Sequence, residues 1–190
     1  GLGEKRSLTS VKSTSYFNNM EHLHAPWRID YILGPKDPEG KDSLFTRIGQ
    51  SSDDLANLVV HRDKTCYVVM NRYPYNGGHL MVVPYKQASD LEQLDEQESG
   101  DLMRLSRRCI AVLRKVMQPQ GFNVGLNLGQ VAGAGIEAHL HLHVVPRWNG
   151  DRNFMPVISD TNVVPEALES LAEKLRSAFA EGGGSESTPA

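Results

Sequence analysis

Three of the chain's seven histidines stand at alternate positions in Ala138-His139-Leu140-His141-Leu142-His143-Val144-Val145-Pro146-Arg147-Trp148. Side chains alternate between the two faces of an extended strand. His139, His141 and His143 are therefore expected on one face, with Leu140, Leu142 and Val144 entering a core on the other. Pro146 cannot donate to a sheet ladder and marks a strand end or edge, and Arg147 adds a permanent cation suited to phosphate or carboxylate. Clustered imidazoles of this kind are open to three readings. They could be polar residues on a solvated face, against which the adjoining glycine-rich segment, Arg147 and Trp148 speak. They could be a metal site with Glu137 as the nearest further ligand. Or they could work at phosphorus, where a neutral imidazole attacks, forms a phosphoramidate, and is oriented by neighbouring rings that protonate a leaving oxygen.

The elements that must position these rings are legible from periodicity. Residues 58–62 and 65–71 are β-branched and aromatic and flank Asp63-Lys64, which reads as a hairpin. A loop over 72–78 leads to a third strand over 79–84. Ser89 with Glu92 matches a capping box, and a second helix start stands at 95–98. Leu102, Leu105, Cys109, Ile110, Leu113, Val116 and Met117 recur at helical spacing, and Pro119 and Gly121 stop that helix. Residues 122–128 form a fourth strand, and the glycine-rich 129–135 leads into the histidine strand. A last helix is expected over 164–179, opened by Pro165. The segment 43–48 is too short to classify. The order predicts an α+β fold: about five mostly antiparallel strands, one long helix on one sheet face, a C-terminal helix, and the histidines on the opposite face.

Residues 1–20 read as a flexible arm. Residues 21–180 form one domain that opens with an anchor around Pro26, Trp27, Arg28 and Tyr31, and 181–190 is a Gly/Ser-rich disordered tail. The net charge of −3 supplies no global basic field for nucleic acid. Neither a membrane-spanning apolar run nor a secretory leader is apparent. The two cysteines, Cys66 and Cys109, fit buried reduced thiols. A cytoplasmic protein is expected.

The triad motif, together with Asn71 and the Arg72-Tyr73-Pro74-Tyr75-Asn76-Gly77-Gly78-His79 loop, Asn123-Val124-Gly125-Leu126-Asn127-Leu128-Gly129 and Pro146-Arg147-Trp148, resembles the histidine triad (HIT) superfamily. It is most similar to the fragile-histidine-triad branch and its bacterial relatives, which act on dinucleoside polyphosphates. The resemblance implies His141 as the nucleophile that takes a nucleotidyl group, His143 near the scissile bridging oxygen, His139 orienting the pair and His79 supporting them. It implies Asn71 on the ribose hydroxyls and Asn127 near the phosphates. The amides of Gly133, Ala134, Gly135 and Ile136 would donate to phosphate oxygens as nest-like loops do, with Arg147 and Trp148 completing the substrate site.

Many bacterial relatives carry Cys-x-x-Cys and a downstream His for a structural zinc. Here the matching positions read Ser43-Leu44-Phe45-Thr46 and Gln87, so no metal is expected. No cofactor is expected either, beyond a divalent ion carried by the nucleotide. The Gly-Ala-Gly-Ile loop and Arg-Trp ending are similar to the diadenosine tetraphosphate phosphorylase type, which uses phosphate where a hydrolase uses water. A nucleoside phosphoramidase and a nucleotide-binding signalling module stand as further alternatives. A homodimer is the expected assembly.

Overall fold

A computed structural model of the chain describes residues 42–151 and 167–182. The predicted arm over 1–20, the anchor around Trp27, the Pro165 helix start and the tail beyond Gly182 lie outside the described residues. The fold is α+β, as expected. A short helix, α1 (Leu44–Gln50), is followed by strands β1 (Val59–Arg62), β2 (Cys66–Met70) and β3 (Leu80–Pro84). The long helix α2 (Glu96–Met117) leads to β4 (Gly121–Leu126), β5 (Leu142–Arg147) and the last helix, α3 (Leu168–Glu181). The five strands form one antiparallel sheet in the order β1-β2-β3-β5-β4.

The sheet is buried on two sides by different partners. Val60, Cys66, Val68, Met70, Leu80, Val82, Leu142 and Val144 face the apolar stripes of α2 and α3, represented by Leu105, Leu113, Leu171 and Leu175. The alternate residues Val59, Tyr67, Val69, Met81 and Val83 pack with Phe45 of α1 on the opposite face. The period-two pattern of the strands thus sorts side chains into two cores, and the smaller core lies on the histidine side. Its Tyr67 hydroxyl donates to the Phe45 carbonyl at 2.7 Å, which ties α1 to that face.

Several local expectations are corrected. The unclassified segment 43–48 is the start of α1, whose N-cap is Ser43. The capping box forms between Asp95 and Glu98 at the head of α2. Ser89 does not cap: Asp90 takes that role for a single 3-10 turn over Leu91–Gln93, and the Ser89 amide goes to the Gln93 side chain. The histidine strand is also shorter than its sequence pattern. Its ladder with β3 begins at Leu142, opposite Val82. Pro84 has no N–H to offer, and its carbonyl is taken by the ring of His139 rather than by a backbone donor.

Gly78 shows why the loop before β3 ends in glycine. Its φ is +79°, and a Cβ there would lie 2.5 Å from the Met117 sulfur and 3.2 Å from Pro146 Cγ. The close approach brings the His79 turn against the end of α2. Replacing Gly78 with Ala is expected to lower the unfolding free energy by about 2 kcal/mol through backbone strain and contact together. Adding Met117→Ala should recover only the contact part, and denaturant titration of the two variants measures both contributions.

Candidate functional site

His141 is buried at the base of a cavity of ≈ 300 Å³. Its Nδ1–H donates to the backbone carbonyl of His139 at 3.0 Å. Burial pulls the imidazole below its ordinary value of 6.5, with the carbonyl bond opposing and His139 adding to the fall. The ring is therefore neutral at pH 7, its one proton sits on Nδ1, and its Nε2 carries a lone pair. That is the state a nucleophile needs.

His139 is fixed at both ring nitrogens. Nε2–H donates to the Pro84 carbonyl at 2.8 Å, which leaves Nδ1 to accept from the Ser43 hydroxyl at 2.7 Å. Burial lowers its pKa as well, against the Pro84 bond. Phe45 of α1 packs on both rings, with centroids 5.8 Å from His139 and 4.9 Å from His141.

His143 has the opposite polarity. Its own position is set by a relay that starts at the loop before β3. His79 Nδ1 accepts from the Asn71 side-chain amide and from the Tyr75 backbone N–H, both at 3.2 Å. The His79 proton is thereby placed on Nε2, which donates to His143 Nδ1 at 2.9 Å. A neutral His143 then carries its proton on Nε2. The rings of His141 and His143 meet edge-on at 4.7 Å. One presents a lone pair and its neighbour presents an N–H, a nucleophile beside a hydrogen-bond donor that can meet negative charge on a departing oxygen.

The cavity wall is mostly apolar and aromatic: Leu44, Phe45 and Ile48 from α1, Leu58 from the turn before β1, Val69 and Met81 from the sheet, and Tyr73 and Tyr75 from the loop. Leu58 holds a left-handed φ of 57°, a strained conformation for a branched residue beside a cavity. Asn71, Gly133, Gly135 and Ile136 line the cavity with His141 and His143. Asn71 is also engaged within the protein, since its side-chain oxygen accepts from the Tyr73 amide at 2.9 Å.

His79 and His139 act on the triad from behind this wall, and four of the predicted substrate-binding residues stand apart from it. Ala134 belongs to the same loop but does not line it. Asn127 is half-buried beneath that loop, its amide nitrogen 3.9 Å from where a Cβ on Gly133 would stand. Arg147 is held in a two-pronged ion pair with Asp151, at 2.6 and 2.9 Å, and by the Asn123 side chain at 2.7 Å. Its charge is spent on closing the end of β5. The Trp148 amide joins the same Asp151 carboxylate at 3.1 Å.

Phe45, Ile48, Ser43 and Tyr75 are site residues that sequence reasoning did not single out. The first three lie on a helix too short to show a period. Tyr75 sat inside the quoted loop, and its stacking on His79 at 4.9 Å was not visible without the fold.

The HIT domain sequence model matches residues 53–150. The chain belongs to the HIT domain family. This HIT protein is 44% identical over 169 residues to a Mycobacterium tuberculosis protein named AP-4-A phosphorylase, covering 86% of each chain. It is 29% identical over 128 residues to the Schizosaccharomyces pombe asymmetrical bis(5'-nucleosyl)-tetraphosphatase, covering 67% of this chain and 66% of that one. Among solved structures, a Zn-bound histidine triad family protein from Mycobacterium smegmatis superposes with a TM-score of 0.60 at 25% identity, over 74% of this chain and 94% of that one.

Stability should report the buried neutral histidines directly. His61, His139 and His141 all have lowered pKa values, with burial the leading cause. Above the ordinary value of 6.5 both folded and unfolded chains leave them neutral, and they contribute no pH dependence. Below it the unfolded chain takes up protons that the folded chain refuses, so stability falls as pH falls. The lowered carboxyls of Asp63 and Asp101 act only below 3.8. The urea midpoint is expected to decline between about pH 6.5 and pH 5, with a shallower slope in His139→Gln. A midpoint constant across that window would contradict the neutral, buried assignment.

Proposed function

We propose that this HIT protein cleaves a dinucleoside polyphosphate of the diadenosine tetraphosphate class through a nucleotidyl-His141 intermediate and passes the nucleotide to inorganic phosphate. The observation that carries this reading is the proton placement at the triad: a lone pair on His141 Nε2 beside an N–H on His143. The AP-4-A phosphorylase relative supports phosphate as the acceptor. In the first step His141 Nε2 bonds to the α-phosphorus, the bond from that phosphorus to the bridging oxygen breaks, and the oxygen departs as the anionic terminal phosphate of ATP, its charge met by a hydrogen bond from the His143 Nε2–H, which keeps its proton. In the second, a phosphate oxygen bonds to the same phosphorus and the phosphorus–nitrogen bond breaks. Diadenosine tetraphosphate and phosphate thus become ATP and ADP.

The cavity suits one nucleoside. Its apolar and aromatic wall takes a base and sugar, and the Gly133–Ile136 backbone meets the phosphates. A divalent ion would travel with the polyphosphate. The expected homodimer has support in β4, which stands at the edge of the sheet among the described residues and whose Val124 is 44% exposed. Cytoplasmic residence has support in two buried, unpaired cysteines; burial pushes both thiols up, Cys66 to about 11, and they remain protonated. No described helix is long and apolar enough to cross a membrane.

The test is product analysis of diadenosine tetraphosphate with and without inorganic phosphate. ATP and ADP forming only with phosphate is the expected outcome, whereas ATP and AMP without it would assign water as the acceptor. Radiolabel from the adenine nucleotide should be trapped on His141. His141→Asn should keep nucleotide binding while losing transfer, and His143→Asn should lose about 10²–10⁴-fold in kcat.

The acid limb of kcat/KM should lie below the ordinary histidine value of 6.5, because His141 stays neutral there. A dinucleoside polyphosphate has no terminal phosphate to titrate in that range, so the limb reports the protein.

A further inference from the structure

The carbonyl that receives the His141 proton does not belong to the sheet. The ladder between β3 and β5 starts at Leu142, so the peptides of 139–141 need other anchors. They include the Leu140 amide, which donates to the Ala88 carbonyl at 2.6 Å, a longer bond of 3.4 Å from the His139 amide to the Ile136 carbonyl, and the doubly bonded ring of His139.

That ring is held from α1 by a closed polar cluster. The Ser43 hydroxyl donates to His139 Nδ1 at 2.7 Å and accepts from the Thr46 amide at 3.1 Å. The Thr46 hydroxyl donates to the Gln87 side-chain oxygen at 2.7 Å, and that oxygen also accepts from the Ser43 amide at 2.8 Å. The two hydroxyls are 3.1 Å apart, and Thr46 Oγ1 is 3.4 Å from His139 Nδ1. Each hydroxyl proton is thereby committed, and the cluster spans three separate parts of the chain.

A histidine triad protein of the same fold holds zinc, and the cluster invites comparison with a metal centre because one nitrogen and three oxygens converge. The residues do not fit one. Structural zinc takes thiolate, imidazole or carboxylate ligands, and here two neutral hydroxyls and a neutral amide accompany a single ring. Among the described residues no group of three or more His, Cys, Asp or Glu side chains could hold a metal.

We propose that Ser43, backed by Thr46 and Gln87, is a positioning residue that works without metal: it clamps the His139 ring so that the His139 carbonyl holds the His141 proton on Nδ1. The proposal rests on the nucleotidyl-transfer reading above for its kinetic readout, and on ring tautomers for a readout independent of it. Ser43 also caps α1, and the two roles are separable. Glycine is nearly as good a helix cap as serine but has no hydroxyl for His139. Threonine keeps the hydroxyl.

Three proteins decide it: wild type, Ser43→Gly and Ser43→Thr. Nitrogen-15 NMR of the imidazoles is expected to show wild-type His141 as a single Nδ1–H tautomer and His139 as Nε2–H. In Ser43→Gly, His141 should become a tautomer mixture and kcat should fall about tenfold or more at near-constant KM, with Ser43→Thr close to wild type in both. Unchanged tautomers and kcat in Ser43→Gly would overturn the clamp, as would Ser43→Thr failing to restore what Ser43→Gly loses. If wild type transfers no nucleotide to His141, the functional reading falls and the tautomer comparison still judges the clamp. Wild type dialysed against zinc and then buffer should retain no stoichiometric metal, and one zinc per chain would overturn the metal-free assignment.

Discussion

The structure turns on one hydrogen bond, from His141 Nδ1–H to the His139 carbonyl. A neutral imidazole has one proton and two places to put it. A carbonyl can only accept, so this contact forbids the tautomer with the proton on Nε2. A single hydrogen bond contributes only about 1 kcal/mol net to stability. Its chemical consequence is larger, because it decides which nitrogen of a buried ring faces the cavity with a lone pair. Burial then keeps that nitrogen unprotonated at pH 7.

The same logic runs the other way at His143, and β3 links the two. At the start of that strand stands His79, which receives from Asn71 and Tyr75 and passes an N–H to His143. At its end stands Pro84, whose carbonyl takes the His139 proton. The two ends of this short strand therefore set the protons of two rings, Pro84 that of His139 and His79, just before Leu80, that of His143, while Asn71 and Tyr75 set the proton of His79 itself. The remaining ring, His141, is set by the peptide of His139. Two adjacent imidazoles thus differ in which ring nitrogen carries the proton, and a carbonyl and a neighbouring ring distinguish them. The smaller core of Phe45, Val69, Met81 and Val83 keeps water from competing for these bonds.

Much of this was legible in the sequence because alternation is a strong signal. Leu140, Leu142 and Val144 do enter the helix-side core, and His139, His141 and His143 are buried together on the opposite side. The long helix was equally plain, since its apolar residues recur over 22 positions. What escaped were features fixed by contacts between distant segments. A seven-residue helix has too few turns to show a period, so α1 and its Ser43 and Phe45 were not assigned. Arg147 carried the right chemistry for phosphate, but Asp151, four residues on, claims it. The alternating pattern also overstated β5, because side-chain alternation continues through 139–141 although the ladder does not.

A nucleophile kept neutral by burial raises the question of how the site handles a polyanion. The neutral ring of His141 attracts phosphate weakly in the ground state. In the proposed attack on phosphorus, however, His141 gains positive charge as its Nε2 lone pair becomes a bond. The Nδ1–H then donates more strongly to the His139 carbonyl, since hydrogen bonds from charged donors are roughly twice as strong as neutral ones. At the same moment the leaving oxygen gains negative charge opposite the His143 N–H. Both interactions are worth more in the transition state than in the complex that precedes it, which is the condition for accelerating a step rather than merely binding its reactant. A buried cation fixed in place of either ring would spend its attraction on the bound polyphosphate. An imidazole held neutral by burial and aimed by a carbonyl, as His141 is, defers that attraction until the bond breaks.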